Sequence, residues 1–220
     1  TSKGYIWEHD WVFSASIVAQ IAKKVNSFYV KFVRKCLFLK ELIIPETITT
    51  IEKYAFSNCD NLIEAIIASS IQKLGSWGFS DCGSLSKVTF EEPCHLTSIE
   101  NYTFIGCKSL KRVSIPSSIL SIGYYAFGTC SGLKDIFIPS SVKSIGGFAF
   151  SDCVLLSNIS IPSSVTSIGK CAFKGCTSLK KIEIPSSVKQ IGELLFFGCS
   201  SLIEISLPFK INSNYLAIQN

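Results

Sequence analysis

Ten cysteines give this 220-residue chain its richest store of potential chemistry, as disulfide partners, metal ligands or nucleophiles. Eight of them, Cys36, Cys59, Cys82, Cys107, Cys130, Cys153, Cys176 and Cys199, recur every 23 residues, with one interval of 25 between Cys82 and Cys107. Spacing this regular puts equivalent thiols in one inward-facing column of a repeating fold. In such a column cysteine serves as a small buried hydrophobe. A disulfide would need a geometry compatible with the stack. Zinc would need closely clustered ligands, and the two histidines, His9 and His95, lie far apart in the chain. No metal and no cofactor is therefore expected, and Cys94 and Cys171, outside the column, are the candidates for reactive or bridging thiols.

The other reactive residue types form no constellation either. No Ser-His-acid order is brought together by the repeat, no Gly-rich loop is built to cradle phosphate, and no carboxylate pair stands apart from the repeating pattern. The chain reads as a non-enzyme. Two triplets match the N-glycosylation acceptor pattern, Asn101-Tyr102-Thr103 and Asn158-Ile159-Ser160. Asn101, at a corner of the repeat, is expected to be the more accessible.

The elements that position these residues follow from the repeat itself. Phe56, Phe79, Phe104, Phe127, Phe150, Phe173 and Phe196 each precede a column cysteine by three residues, and a leucine follows every one of the eight cysteines by three. The consensus is Cys-x-x-Leu-x-x-Ile-x-Ile-Pro-Ser-Ser-Val-x-x-Ile-Gly-x-x-Ala-Phe-x-x. Its Ile-x-Ile alternation suits a short strand. Proline then ends the strand, because it has no amide to donate. The paired serines suit a corner, and the glycine permits a special backbone conformation or a close approach. One such unit cannot bury its apolar faces alone, but a stack of them can. The fold class is a repeat solenoid, mainly short parallel β-strands with corner turns or 3-10 segments. At about 4.8 Å per coil, eight units span on the order of 40 Å. The two extra residues of the third unit fall at Glu91 to His95 and predict a bulged corner loop.

The segment Ile-Pro-Ser-Ser-Val-Thr-Ser-Ile-Gly-Lys-Cys-Ala-Phe-Lys-Gly-Cys, residues 161–176, resembles the signature of the BspA-like leucine-rich repeat family nearly residue for residue. The resemblance covers about residues 36–208. It implies a leucine-rich repeat fold and a class of surface or secreted proteins of bacteria and parasitic protists, some of which adhere to host matrix proteins or other cells.

Three regions follow: residues 1–35 as a degenerate first repeat or capping segment, 36–208 as the repeats, and 209–220 as a C-terminal cap. Two readings of the first compete. Phe13, Ile17, Ile21, Val25, Phe28 and Phe32 recur at helical spacing, yet Ile21 to Phe28 also aligns with Ile67 to Leu74, and the degenerate repeat is favoured. Trp11 to Ala22 is too short and too polar to span a membrane, and acidic Glu8 and Asp10 stand where a signal peptide would be basic. The chain begins at Thr1 and contains no Met, as a processed product or a fragment would.

A net charge of +5 with no basic run interleaved with aromatics argues against nucleic acid. What can vary without harming the core is the set of x positions. One outward column reads Glu41, Glu64, Lys87, Arg112, Asp135, Asn158, Lys181, Glu204, and the next reads Ile43, Ile66, Thr89, Ser114, Phe137, Ser160, Glu183, Ser206. Lys87, Lys111, Arg112, Lys134, Phe137 and Lys181 are the candidate protein-binding residues of this sheet face. Trp77, Tyr102, Tyr124, Tyr125 and Phe148 form a second aromatic set that either binds or packs between coils. The expected role is a protein-binding or adhesion module at the cell surface or secreted, with a host matrix, cell-surface or assembly protein as partner. The alternative is a cytoplasmic structural scaffold or spacer.

Overall fold

The computed structural model describes residues 29–30 and 34–207. The two readings of the chain before Tyr29, and the proposed C-terminal cap, lie outside the described residues.

Each coil contributes two strands. The first series faces one side of the solenoid: β2 (Glu41–Ile43), β4 (Glu64–Ile67), β6 (Lys87–Phe90), β8 (Arg112–Ser114), β10 (Asp135–Phe137), β12 (Asn158–Ser160), β14 (Lys181–Glu183) and β16 (Glu204–Ser206). The second series is shorter: β1 (Tyr29–Val30), β3 (Thr50–Ile51), β5 (Lys73–Leu74), β7 (Ser98–Ile99), β9 (Ser121–Ile122), β11 (Ser144–Ile145), β13 (Ser167–Ile168) and β15 (Gln190–Ile191). Pairing is parallel throughout, and within the regular coils each residue faces its equivalent 23 positions away. The first pairing departs from that frame. Val30 pairs with Ile51, which pairs with Leu74, so Val30 occupies the position that the sequence alignment assigned to Phe28. Val30 stands six residues before Cys36, where Ile51 stands eight before Cys59.

The insertion at Glu91 to His95 interrupts both ladders. The second series is continuous from β7 to β15 but breaks between β5 and β7, and the first breaks between β6 and β8 and, away from the insertion, between β12 and β14. Here the expected bulged corner is present, with Glu91, Glu92, Pro93 and His95 exposed.

Three inward columns make the core. The seven phenylalanines are fully buried and stack ring on ring, with centroids 5.2–5.9 Å apart. The leucines that follow each cysteine form a second column, buried from Leu39 to Leu179. The cysteines form the third, and their thiols do more than fill space. From Cys82 to Cys199 each Sγ donates to the carbonyl of the phenylalanine in the preceding coil, at 3.0–3.2 Å. Cysteine is small enough to fit there and still carries a donor. All ten cysteines are free thiols; Cys171 is buried and Cys94 half-buried.

The corners explain the remaining consensus. In regular coils the residue three after proline donates its amide back to the proline carbonyl, as Val142 does to Pro139 at 3.1 Å. In three coils the second serine then bonds across coils rather than within its own turn, whereas the hydroxyls of Ser118 and Ser187 at the same position are buried without a hydrogen-bond partner among the described residues. Ser70, Ser141 and Ser164 donate to the carbonyls of Ile48, Ile119 and Val142 at 2.6–2.7 Å.

On the third side, alternate amides donate to the following coil, for example Phe127 to Ala149 at 2.8 Å and Thr129 to Ser151 at 2.7 Å. Sustaining that ladder through a tight turn requires left-handed backbone at Tyr54, Trp77, Tyr102, Tyr125, Phe148, Cys171 and Leu194, with φ of 52–63°. Such backbone is costly for bulky residues. Here the coils on either side hold it through these hydrogen bonds.

Glycine is required at the bend before this turn by close approach, since a Cβ on Gly169 would lie 2.3 Å from the amide nitrogen of Gly147. The obstacle is backbone and cannot rotate away. Gly169→Ala is therefore expected to destabilise the fold by about 1–3 kcal/mol, read as a lower urea midpoint. An unchanged midpoint would show that the coils can separate freely at this bend.

Candidate protein-binding face

The outer face of the first strand series is built by alternation. In β8, β10 and β14 the central residues Val113, Ile136 and Ile182 point into the core, leaving the residues on either side to point outward. Parallel pairing in register turns those outward residues into columns, with Arg112, Asp135 and Asn158 neighbours in one and Ser114, Phe137 and Ser160 neighbours in the other.

Three of the six candidate binding residues are engaged along this face. Lys87 pairs with Glu64, Arg112 with Asp135 at 3.4 Å, and Lys181 with Glu204. Each pair joins adjacent coils within one column. The cations are exposed and their acids exposed or half-buried, so each pair contributes about 0–1 kcal/mol and chiefly cancels charge. Lys111 and Lys134 differ. They occupy the position before the strand, both are exposed, and neither forms an ion pair with any described residue. The amide of Lys134 donates to the carbonyl of Lys111 at 3.1 Å, so the two lysines sit directly beside each other on neighbouring coils. The same column carries Lys40 and Lys180 at other coils, and these are likewise exposed without an ion pair among the described residues.

Phe137 is 71% exposed at the end of β10, three residues after Lys134 and between Ser114 and Ser160, which leave its ring open to solvent. The structure thus puts Lys111 and Lys134 on adjacent coils, leaves Phe137 exposed three residues after Lys134, and gives Lys87, Arg112 and Lys181 partners within the fold. That pairing was legible in the column Glu64, Lys87, Arg112, Asp135, Lys181, Glu204, where opposite charges stand 23 residues apart.

The aromatic set packs between coils. Tyr54, Trp77, Tyr102, Tyr125 and Phe148 form one stacked column with centroids 3.9–5.6 Å apart. Tyr124 lies outside it, edge-on to Tyr102, Tyr125 and Phe148. Sequence reasoning missed Tyr54, although it stands two residues before Phe56 as Trp77 does before Phe79. Arg34 and Lys53 lie over the Tyr54 ring and Lys170 over Phe148, so cations cover the open ends of the stack.

Both acceptor triplets are exposed at asparagine, but their surroundings differ. Asn101 accepts the Tyr124 amide at 2.7 Å through its side-chain oxygen, and the hydroxyl of Thr103, a buried residue, donates to Glu100. Asn158 lies on the open face with Ser160 exposed beside it. Among the described residues no cluster of three or more His, Cys, Asp or Glu side chains is arranged to hold a metal. Burial, followed by the neighbouring thiol, pushes Cys107, Cys130, Cys153 and Cys176 well above the ordinary thiol range, which leaves them protonated and unreactive. No described helix is long and apolar enough to cross a membrane.

Comparison with known proteins agrees with this architecture. No curated protein matches the chain. A leucine-rich repeat protein from Bacteroides ovatus superposes with a TM-score of 0.71 at 32% identity, over 80% of this chain and 46% of that one. The chain thus spans less than half the length of that relative. A T. pallidum leucine-rich repeat protein gives 0.70 at 29% identity over 74% of this chain and 78% of that one. A leucine-rich cell surface protein from Faecalibacterium prausnitzii gives 0.55 at 28%, over 83% and 63%. The BspA type leucine-rich repeat region matches in six copies over residues 26–155 and 121–217. With its register, its inward columns and this match in agreement, the chain belongs to the BspA-type leucine-rich repeat family.

Proposed function

We propose that the protein is a non-enzymatic binding or adhesion module, displayed at a cell surface or secreted, that holds a protein partner on the face of its first strand series. The observation that carries this reading is the exposed Phe137 beside the unpaired Lys111 and Lys134. Exposed large aromatic side chains anchor protein interfaces, and lysines beside them steer a partner of opposite charge. The F. prausnitzii cell surface protein, similar in fold, supports the location.

Binding of the purified chain to a panel of immobilised matrix proteins, namely fibronectin, fibrinogen, laminin and collagen, tests the reading. At least one is expected to bind saturably, with affinity reduced about tenfold or more by combined Lys111→Glu and Lys134→Glu. The circular dichroism spectrum and thermal midpoint should stay as in the wild type. Undiminished binding by that folded variant would remove the sheet face as the site.

A further inference from the structure

We infer that the partner presents an acidic segment, with carboxylates set between Lys111 and Lys134 and an apolar side chain or pocket that receives Phe137. This rests on the sheet-face reading above and adds the chemistry of what is bound. The argument begins from a contrast within the face itself. Wherever the first outward column brings charged side chains of opposite sign onto adjacent coils, they pair: Lys87 with Glu64, Arg112 with Asp135, Lys181 with Glu204. One position earlier, the same register sets two lysines on adjacent coils, joined through the backbone bond from Lys134 to Lys111. Like charges directly opposite each other are unfavourable. Asp135, the nearest acid in sequence, is engaged by Arg112, and the flanking residues of that column, Ser86 and Ser157, are neutral. Lys40 and Lys180 are unpaired in that column too, but among its described residues Lys111 and Lys134 alone are lysines on adjacent coils, which concentrates positive charge at one place on the face. Such a place attracts a partner of opposite charge.

Phe137 selects a polypeptide among possible polyanions. Three residues beyond Lys134, it lies about 10 Å away along the strand. Its exposed ring offers apolar area that a purely charged chain would leave wet, whereas a peptide segment supplies carboxylates and an apolar side chain at that separation. The complementary motif is thus two acidic residues followed, at roughly three residues' distance in extended conformation, by a large apolar one.

A random peptide display library selected on the immobilised full chain, with heparin and a DNA duplex as competitors, tests this. Selected peptides are expected to be enriched in paired Asp or Glu with a nearby Leu, Ile, Phe or Trp. Their affinity should fall about tenfold or more with Lys111→Glu and Lys134→Glu, and by a similar factor with Phe137→Ser. Selection of peptides that lose binding in these variants yet show no acidic bias would overturn the partner chemistry and leave the face intact. Selection of peptides that bind both variants as well as wild type would overturn the face itself. Tighter binding of heparin or DNA than of any peptide, sensitive to the lysines and indifferent to Phe137, would assign the lysine pair to a polyanion and refute the inference.

Discussion

Raising the pH from about 8 to about 10 is expected to remove several kcal/mol of folding stability, with most of the loss above the ordinary thiol value of 9.0. The cause is the cysteine column. Cys107, Cys130, Cys153 and Cys176 are held well above that value, first by burial and then by the neighbouring thiol. Below pH 9 both the folded and the unfolded chain carry these protons, and the stability they contribute is fully present. Above it the unfolded chain releases them while the folded chain keeps them, so each further pH unit favours unfolding by about 1.4 kcal/mol per thiol. Cys59, pushed up to about 12, and Cys199, pushed up to about 11, act in the same direction. Urea unfolding under reducing conditions, repeated at stepped pH, measures the slope. The combined Cys130→Ala and Cys153→Ala variant isolates the cause, because it should flatten that slope by about 3 kcal/mol per pH unit. An unchanged slope in that variant would show that other groups drive alkaline unfolding.

That column also marks what the amino-acid sequence makes legible. Cysteine, phenylalanine and leucine recurring at one period require a stack, because no single unit can bury them, and the periodicity alone assigns the three inward columns. What periodicity does not carry is the use of each polar atom. The cysteine reads as a small hydrophobe, and its donation to the phenylalanine carbonyl depends on the distance between adjacent coils. The second serine reads as a turn residue, and only the relative height of two corners shows that Ser141 reaches Ile119 one coil away. The left-handed backbone under Trp77 and Tyr102 runs against residue preference, so propensity gives no hint of it. On the candidate face the column order made the charge pairing readable in principle. Lysines ranked by charge alone, however, put Lys87 and Lys181 level with Lys111 and Lys134, and only their contacts separate them.

Replacing Phe127 by alanine is expected to cost about 3–5 kcal/mol, the range for deleting a fully buried aromatic ring. Phe127 is completely buried and lies between Phe104 at 5.5 Å and Phe150 at 5.6 Å. Its neighbours cannot collapse into the gap, because each is fixed by a backbone bond to the coil that follows it, from Phe104 to Ala126 and from Phe150 to Ala172, both at 2.8 Å. The cavity should therefore persist. A solenoid is stabilised by contacts between nearest neighbours, so a defect in the middle also weakens the coupling of the coils on either side. Urea unfolding should accordingly show a lower midpoint and a shallower or two-step transition, as the halves before and after Phe127 begin to melt separately. Phe127→Leu should retain more of the stability and a single transition, because it fills most of the volume. A loss below about 1 kcal/mol for Phe127→Ala, with the transition still single and steep, would mean that the ring stack is incidental and that the inter-coil backbone ladder alone couples the repeats.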